Sequence, residues 1–425
     1  MIASPAFRGK RYAVLGLARS GLATVRALLA GGAHVVAWDS REEARGAVGD
    51  GVTLADPLEI DLAGFDGVVV SPGVPINRHR IADKAHAAHV PLIGDIELFA
   101  QARRALPPHK VIGITGTNGK STTTALIHHI IETAGIPTTL GGNIGLPILG
   151  QDLLPEGGVY VLELSSFQID LTHSLDCDIA VLLNITPDHL DRYDGFADYA
   201  ASKERLFAMQ HVDKIAVIAT EDDRTRMIAS RINHRLIRVS SKQVGDQSRW
   251  PSLQGPHNAQ NVAAARAVAE CLGVKGATVE EGLLTYPGLP HRMERVRELG
   301  GVLYVNDSKA TNPTSTAPAL AAYPAIHWIL GGQAKTRELD ACAPYFDHVR
   351  AAYTIGENGT MFADLLRGKM PVSECGVLGD AVLAASKAAV AGETVLLSPA
   401  CASFDQFRDF EARGDAFRAA VETLA

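Results

Sequence analysis

Gly116-Thr117-Asn118-Gly119-Lys120-Ser121-Thr122 follows an apolar run at 111–115 and opens a helical stretch. Glycine-freed backbone N–H groups, one lysine and adjacent hydroxyls therefore meet at a strand-to-helix turn. Such a loop wraps its amides around phosphate, sends its lysine to the terminal phosphates and offers its hydroxyl to Mg²⁺. The chemistry read from it is binding of a nucleoside triphosphate. Its register departs from the general phosphate loop, because Ile114 stands five positions before Gly119 and the extra glycines fall at Gly113 and Gly116.

Further polar groups close other apolar runs, and ligands of open α/β sheets gather at that carboxyl edge. Glu163-Leu164-Ser165-Ser166-Phe167-Gln168 ends one run, and Asn184-Ile185-Thr186-Pro187-Asp188-His189-Leu190-Asp191-Arg192-Tyr193 ends the next. A carboxylate and an imidazole beside a triphosphate read as Mg²⁺ ligands, although Mg²⁺ prefers oxygen donors. Asp188 and Asp191 suit capping of the following turn equally well. Lys203 lies in a helix of good formers, where a lysine is ordinarily a solvated surface residue.

His257-Asn258-Ala259-Gln260-Asn261 starts a helix with Asn258 as a candidate N-cap, and either asparagine could offer an amide to a purine edge. His291-Arg292 follows a proline-rich break, and Asn306-Asp307-Ser308-Lys309-Ala310-Thr311-Asn312-Pro313 closes a strand with a dense polar run. Gly331-Gly332-Gln333-Ala334-Lys335 and Leu397-Ser398-Pro399-Ala400-Cys401-Ala402-Ser403-Phe404-Asp405-Gln406-Phe407 end two more strands. Their glycines, lysine and hydroxyls suggest an anion pocket. Cys401 or Ser403 as a nucleophile would call for a G-x-S-x-G elbow, which this neighbourhood lacks.

The elements that must position these groups alternate between strand and helix. Strands at 12–17, 34–39 and 67–70 with a helix at 21–30 read as a small doubly wound unit. Its first turn, Gly16-Leu17-Ala18-Arg19-Ser20-Gly21, is GxGxxG with Ala18 at the middle glycine, and Asp39 ends the second strand. A nicotinamide-dinucleotide site is one reading, but the Cβ of Ala18 would crowd a pyrophosphate. After a break at 104–109 come strands at 111–115, 159–163, 179–183 and 214–218, helices at 121–134 and 199–209, an irregular polar passage at 233–254, and a helix at 259–272. A second break, at 286–290, precedes strands at 302–306, 326–330, 351–355 and 394–397. The expected architecture is α/β in three consecutive domains, 1–99, 100–290 and 291–425. They are a Rossmann-like domain, a P-loop-type domain with a mostly parallel sheet, and a second Rossmann-like domain.

A length of 425 residues suits two to three such cores. With 40 basic against 47 acidic residues, a formal charge of −7 and no long run of either sign, a nucleic-acid-coating role is disfavoured. The first ten residues lack a secretory pattern, and no apolar run reaches the roughly eighteen residues a spanning helix needs. A soluble, cytoplasmic protein without membrane insertion is expected. Cys177, Cys271, Cys342, Cys375 and Cys401 show no CxxC spacing and are read as buried thiols.

Taken together and in order, the runs at 116–121, 184–193, 307–312 and 398–403 closely resemble the Mur ligases of peptidoglycan synthesis, and the resemblance spans the chain. Within that family, the 398–407 run joined to the 307–312 loop is similar to the branch that adds D-glutamate to UDP-N-acetylmuramoyl-L-alanine. Sister branches with other acceptor amino acids, and folylpolyglutamate synthetase, are the nearest alternatives. A nucleotide switch or transport ATPase whose third unit binds a protein, and an NAD-dependent dehydrogenase, are readings of other classes.

The resemblance implies an ATP-dependent carboxylate-amine ligase that forms ADP and phosphate through an acyl phosphate, with two Mg²⁺ ions. It implies catalytic roles for Lys120, Lys203 and His189, with Lys203 carbamylated, and metal contacts from Ser121, Glu163, His189 and Lys203. Gly116, Thr117, Asn118, Gly119, Lys120, Ser121, Thr122, Asn261, Arg292, Asp307 and Lys309 match ATP contacts. Arg19, Ser20, Ser40, Arg41, Gly73, Asn143, Gln168 and His189 match contacts to the uridine-diphosphate substrate. Thr311, Lys335, Ser403, Phe404 and Phe410 match the D-glutamate pocket. Two positions depart from the pattern: Arg19 stands where a smaller or apolar residue is often found, and Phe404 where leucine is common.

Overall fold

The computed structural model describes residues 1–189 and 191–424. Leu190, within the 184–193 run, and Ala425, at the end of the third expected domain, lie outside the described residues. Three α/β domains are built around three sheets. The first holds β1 (Arg11–Leu15), β2 (His34–Trp38), β3 (Val52–Leu54), β4 (Gly67–Val70) and β5 (Leu92–Ile93) in the order β3-β2-β1-β4-β5. All its pairings are parallel. The order reverses between β1 and β4, the point at which open sheets leave a ligand crevice.

The second sheet holds β6 (His109–Thr115), β7 (Thr138–Gly142), β8 (Gly158–Glu163), β9 (Ile179–Leu182), β10 (Ile215–Ala219) and β11 (Arg235–Val239) in the order β11-β10-β9-β6-β8-β7. It too is wholly parallel. Every residue of β8 and β9 is buried, as strands covered by helices on both faces must be, and their unbroken apolar sequences follow from that. Because β6 lies between β8 and β9, the ends of these three strands share one edge.

The third sheet holds β12 (Glu294–Leu299), β13 (Val302–Asn306), β14 (Ile326–Gly331), β15 (Val349–Ile355), β16 (Val372–Gly376) and β17 (Thr394–Leu397) in the order β12-β13-β17-β14-β15-β16. Only β12 is antiparallel. Here β17 lies between β13 and β14, so the polar runs after these three strands converge at its carboxyl edge.

By compactness the chain forms two units, Met1–Gln243 with Ala263–Gly282, and Val244–Val262 with Leu283–Ala425. In the first unit, side chains of the first two sheets, such as Tyr12, Val14, Val111 and Tyr160, belong to one continuous apolar cluster. The second unit packs its sheet between two clusters, one around Trp328 and Phe362 and the other around Tyr353 and Phe417.

Three expectations are corrected. The helix of 259–272 starts earlier, at Pro256–Cys271, so Asn258 is inside it rather than at its cap, and its amide donates to Gln254 O at 3.0 Å. Lys203 is 1% exposed rather than solvated, because its face of the helix Phe196–Ala208 packs inward. Cys271 and Cys375 are half-buried, whereas Cys177, Cys342 and Cys401 are fully buried thiols.

Candidate active site

The phosphate loop leaves β6 and enters the helix Lys120–Thr133. Gly116 has φ +150°, and a Cβ there would lie 3.1 Å from the Leu183 side chain and 3.3 Å from Asn184 N, so a side chain would push the loop off its neighbour. Gly119, with φ +82°, turns the chain into the helix. The loop is held from the end of β9: Thr117 N–H donates to Asn184 O at 2.8 Å, and Asn118 N–H donates to Asn184 Oδ1 at 2.8 Å. Thr117 Oγ1 accepts from Thr186 N–H at 3.0 Å and lies 3.1 Å from the Tyr199 hydroxyl. Lys120 Nζ folds back over the loop, donating to Gly116 O at 2.9 Å and Thr117 O at 2.7 Å. Ser121 is buried and Thr122 half-buried at the helix start, where amides and dipole favour an anion.

Glu163 ends β8 beside this loop and is 2% exposed. Its Oε1 accepts from Asn143 Nδ2 at 2.9 Å, while its Oε2 is buried without a hydrogen-bond partner among the described residues. An unsatisfied buried carboxylate oxygen is costly, and a cation would satisfy it. Among the described residues no group of three His, Cys, Asp or Glu is arranged to hold a metal by itself. Mg²⁺ at phosphate sites characteristically takes one or two carboxylates and completes its shell with phosphate oxygens and water, and Glu163 fits that demand.

Lys203 Nζ lies 4.6 Å from the centroid of the Tyr199 ring. Burial, and then the charge of Lys120, push its ammonium well below the ordinary range, against the pull of Asp188, Asp170 and Glu163. His189 has φ +52°; its N–H donates to Asp188 Oδ1 at 2.9 Å, and its ring lies 5.0 Å from that of Phe167. Asp188 thus serves the histidine that follows it. Gln168 forms a capping box with Ser165 at the helix Ser166–Asp170. The sheet edge therefore brings together the loop, Asn143, Glu163, Asn184, His189 and Lys203. Tyr199, which joins loop to lysine, was not singled out in the sequence, where it only opened the helical stretch at 199–209.

In the first domain, Ser40 and Gly73 line a cavity of about 350 Å³ together with Trp38, Asp39 and His79. Asp39 does not offer a free carboxylate to a ribose: Oδ2 accepts from Leu17 N–H at 2.8 Å and Oδ1 from Arg41 N–H at 2.9 Å. Burial raises its pKa, but these amides and the Arg41 guanidinium outweigh that and hold it below the ordinary value. Arg19 donates to Gly145 O at 3.0 Å, and Ser20 is half-buried beside Ser71 and Asp95. The 73–78 loop reaches the His189 loop through Arg192, whose Nη2 donates to Val74 O at 3.1 Å, and through Asn77, which donates to Arg192 O at 3.0 Å.

In the second unit, Asp307 is buried, with Oδ2 accepting from Ser398 Oγ at 2.7 Å and Oδ1 from Met293 N–H at 3.2 Å. Burial pushes its carboxyl up to about 7, against those bonds and the charges of Arg292 and Arg413. Lys309 Nζ lies 3.7 Å from the centroid of the Phe410 ring, and Asn261 Nδ2 donates to Asn258 Oδ1 at 3.0 Å. Ser403 is buried, Thr311 and Phe410 half-buried, Lys335 exposed, and Phe404 68% exposed. Cys401 is no nucleophile as it stands, since burial raises its thiol to about 12. Arg413 was passed over in the sequence, and Ser398 was read only as part of the 397–407 run; their partners Ser308 and Asp307 lie 105 and 91 positions away.

The chain matches family models described as Mur ligase MurD-like, N-terminal domain, over residues 10–94, Mur ligase middle domain over 114–251, and Mur ligase, glutamate ligase domain, over 291–401. It is 66% identical to the UDP-N-acetylmuramoylalanine--D-glutamate ligase of Novosphingobium aromaticivorans, over 100% of this chain and 97% of that protein. To the enzyme of the same name from Sphingopyxis alaskensis it is 63% identical, over 100% of both. Among solved structures it is similar in fold to the UDP-N-acetylmuramate-alanine ligase MurC of Thermotoga maritima, with a TM-score of 0.58 and 17% identity over 97% of this chain and 99% of that one.

Proposed function

Because the chain belongs to the Mur ligase family, we infer that it joins D-glutamate to UDP-N-acetylmuramoyl-L-alanine at the expense of ATP, in peptidoglycan precursor synthesis. The observation that carries the inference is the 66% identity along the entire chain, which includes every strand-end run described above. The geometry gives it chemical sense. A loop built for a triphosphate, a buried carboxylate with an unsatisfied oxygen and a buried lysine meet at one sheet edge.

The alanyl carboxylate is a poor electrophile and must be activated. One of its oxygens attacks the γ-phosphorus of ATP, the bond to the ADP oxygen breaks, and an acyl phosphate forms. The neutral D-glutamate amine then attacks the acyl carbon, the nitrogen gives up one proton as the amide bond forms, and phosphate departs with the former carboxylate oxygen. Both steps gather negative charge around one phosphoryl group. Lys120 and the amides of 116–121 are the groups of this chain that stabilise it, and no protein nucleophile is needed. Mg²⁺ held by Ser121 and Glu163 would neutralise phosphate charge and polarise the transferring group.

The finer assignments are proposals. Lys203 reacts as its neutral amine with CO₂, losing a proton, to give a carbamate whose oxygen would hold a second Mg²⁺ together with His189. Asn261, Arg292, Asp307 and Lys309 contact the nucleotide. Arg19, Ser20, Ser40, Arg41, Gly73, Asn143, Gln168 and His189 serve the uridine-diphosphate substrate, supported by the cavity at Ser40 and Gly73. Thr311, Lys335, Ser403, Phe404 and Phe410 serve D-glutamate. The domains divide as 1–99, 100–290 and 291–425. Among the described residues no helix is long and apolar enough to cross a membrane; we place the enzyme in the cytoplasm.

The test is ADP release in the presence of UDP-N-acetylmuramoyl-L-alanine and one amino acid at a time. D-Glutamate is expected to support it. Release with L-glutamate, meso-diaminopimelate or L-lysine, and none with D-glutamate, would overturn the assignment.

A further inference from the structure

We propose that Arg413 is the positioning residue of the acceptor pocket: one buried guanidinium sets the mutual placement of the loops that recognise the dicarboxylic amino acid. The proposal rests on the assignment of that pocket to Thr311, Lys335, Ser403, Phe404 and Phe410.

Arg413 lies in the helix Phe410–Glu422 and is 1% exposed. Its Nε donates to Ser308 Oγ at 3.0 Å, its Nη2 to Ser308 O at 2.8 Å and Cys401 O at 3.0 Å, and its Nη1 to Ala402 O at 3.3 Å. Ala402 in turn exchanges both backbone hydrogen bonds with Gln333, each at 3.0 Å. Ser308 Oγ donates to Phe410 O at 2.8 Å, closing the circuit on the helix that carries Arg413. The loops after β13, β14 and β17 are thereby tied to one side chain. Gly332 makes room for it: a Cβ there would stand 3.2 Å from Nη1 and 2.4 Å from Ala402 O, at φ +124°.

Each pocket residue sits close along the chain to one of these bonded atoms. Thr311 follows Ser308 in the same loop, Lys335 follows Gln333, Ser403 and Phe404 follow Ala402, and Phe410 itself accepts from Ser308. Only a planar fork of N–H donors reaches these acceptors at once; a lysine ammonium on a flexible stem cannot. The hydrogen-bond partners named are carbonyls and one hydroxyl, while the carboxylates of Asp405 and Asp307 act on the guanidinium through their charge alone. Burial lowers the pKa only to about 10, which keeps the group charged.

The experiment is steady-state ADP release by the full chain, with each substrate varied in turn while the others saturate. Arg413→Lys keeps the charge and loses the fork; its KM for D-glutamate is expected to rise about tenfold or more, and those for ATP and the uridine substrate to stay within about twofold. A merely structural role would lower the melting temperature and leave the ratio of KM values unchanged, and that result overturns the proposal. Ser308→Ala removes the hydroxyl that accepts from Arg413 Nε and donates to Phe410 O, and leaves the guanidinium its bonds to Ser308 O, Cys401 O and Ala402 O. It is expected to raise the same KM by a smaller factor, and it decides the matter alone should Arg413→Lys fail to fold. An unchanged KM for D-glutamate in folded Ser308→Ala then refutes the idea. The amino-acid panel on the wild type separates the two claims, since a different preferred acceptor overturns D-glutamate while the Arg413 comparison is repeated with that acceptor.

Discussion

Asn143 Nδ2 donates to Glu163 Oε1 at 2.9 Å, and the other oxygen of the same carboxylate is buried with no hydrogen-bond partner among the described residues. Asn143 therefore fixes the carboxylate so that its unsatisfied oxygen is available to a cation. Groups that orient a metal ligand typically matter about 10–100-fold in metal affinity. Glu163→Gln is expected to raise the Mg²⁺ concentration for half-maximal ADP release at least about tenfold, and Asn143→Ala to raise it by less. Titration of activity with Mg²⁺ checks this, and an unchanged midpoint in Glu163→Gln would remove Glu163 from the metal site.

Lys203 is buried beside the phosphate loop, within electrostatic reach of Glu163, Asp170 and Asp188. As a carbamate it would supply an anionic oxygen that no other amino-acid side chain could offer at that distance from the helix. Lys203→Ala is expected to lose activity by about 100-fold or more and to regain part of it with added short carboxylates, which restore the oxygen donor. Lys203→Arg should not be rescued. No recovery, with an unmodified mass at Lys203 in the wild type, would contradict the carbamate.

Asp307 carries a pH-dependent contribution to stability. Burial raises its pKa from 3.8 to about 7, so between these values the folded chain binds more protons than the unfolded one. The stabilisation is fully present below the unfolded pKa and is lost as pH rises through about 7, an effect on the order of a few kcal/mol. Asp307→Asn removes the titration while keeping the shape. The melting temperature of the variant relative to the wild type is therefore expected to climb from pH 5 to pH 8, measured without ligands. A constant difference would place the carboxyl's titration outside this range.

How much of this the sequence disclosed depends on the range of the interactions. The phosphate loop was legible because its glycines answer a local demand, seen at Gly116 and Gly119, and its strand and helix carry clear periodicities. The strands β9, β13, β14 and β17 were legible as apolar runs, with ends shifted by at most a residue. The strand β7, in sequence Thr138-Thr139-Leu140-Gly141-Gly142, was not, because it has no apolar run. Lys203 read as a surface residue because its helix does not reveal which face a neighbouring loop will cover. Arg413 was invisible for a similar reason: its partner Ser308 lies 105 positions away. The shared core of the first two sheets could not be read either, since it depends on how two separately patterned domains meet.

The central claim, that this sheet edge activates the alanyl carboxylate by phosphoryl transfer, is tested most directly by following an oxygen atom. UDP-N-acetylmuramoyl-L-alanine labelled with ¹⁸O in its carboxylate is turned over with ATP and D-glutamate, and the released inorganic phosphate is weighed by mass spectrometry. Passage through an acyl phosphate transfers one labelled oxygen to phosphate for each amide bond formed. Unlabelled phosphate alongside full product formation would contradict the account.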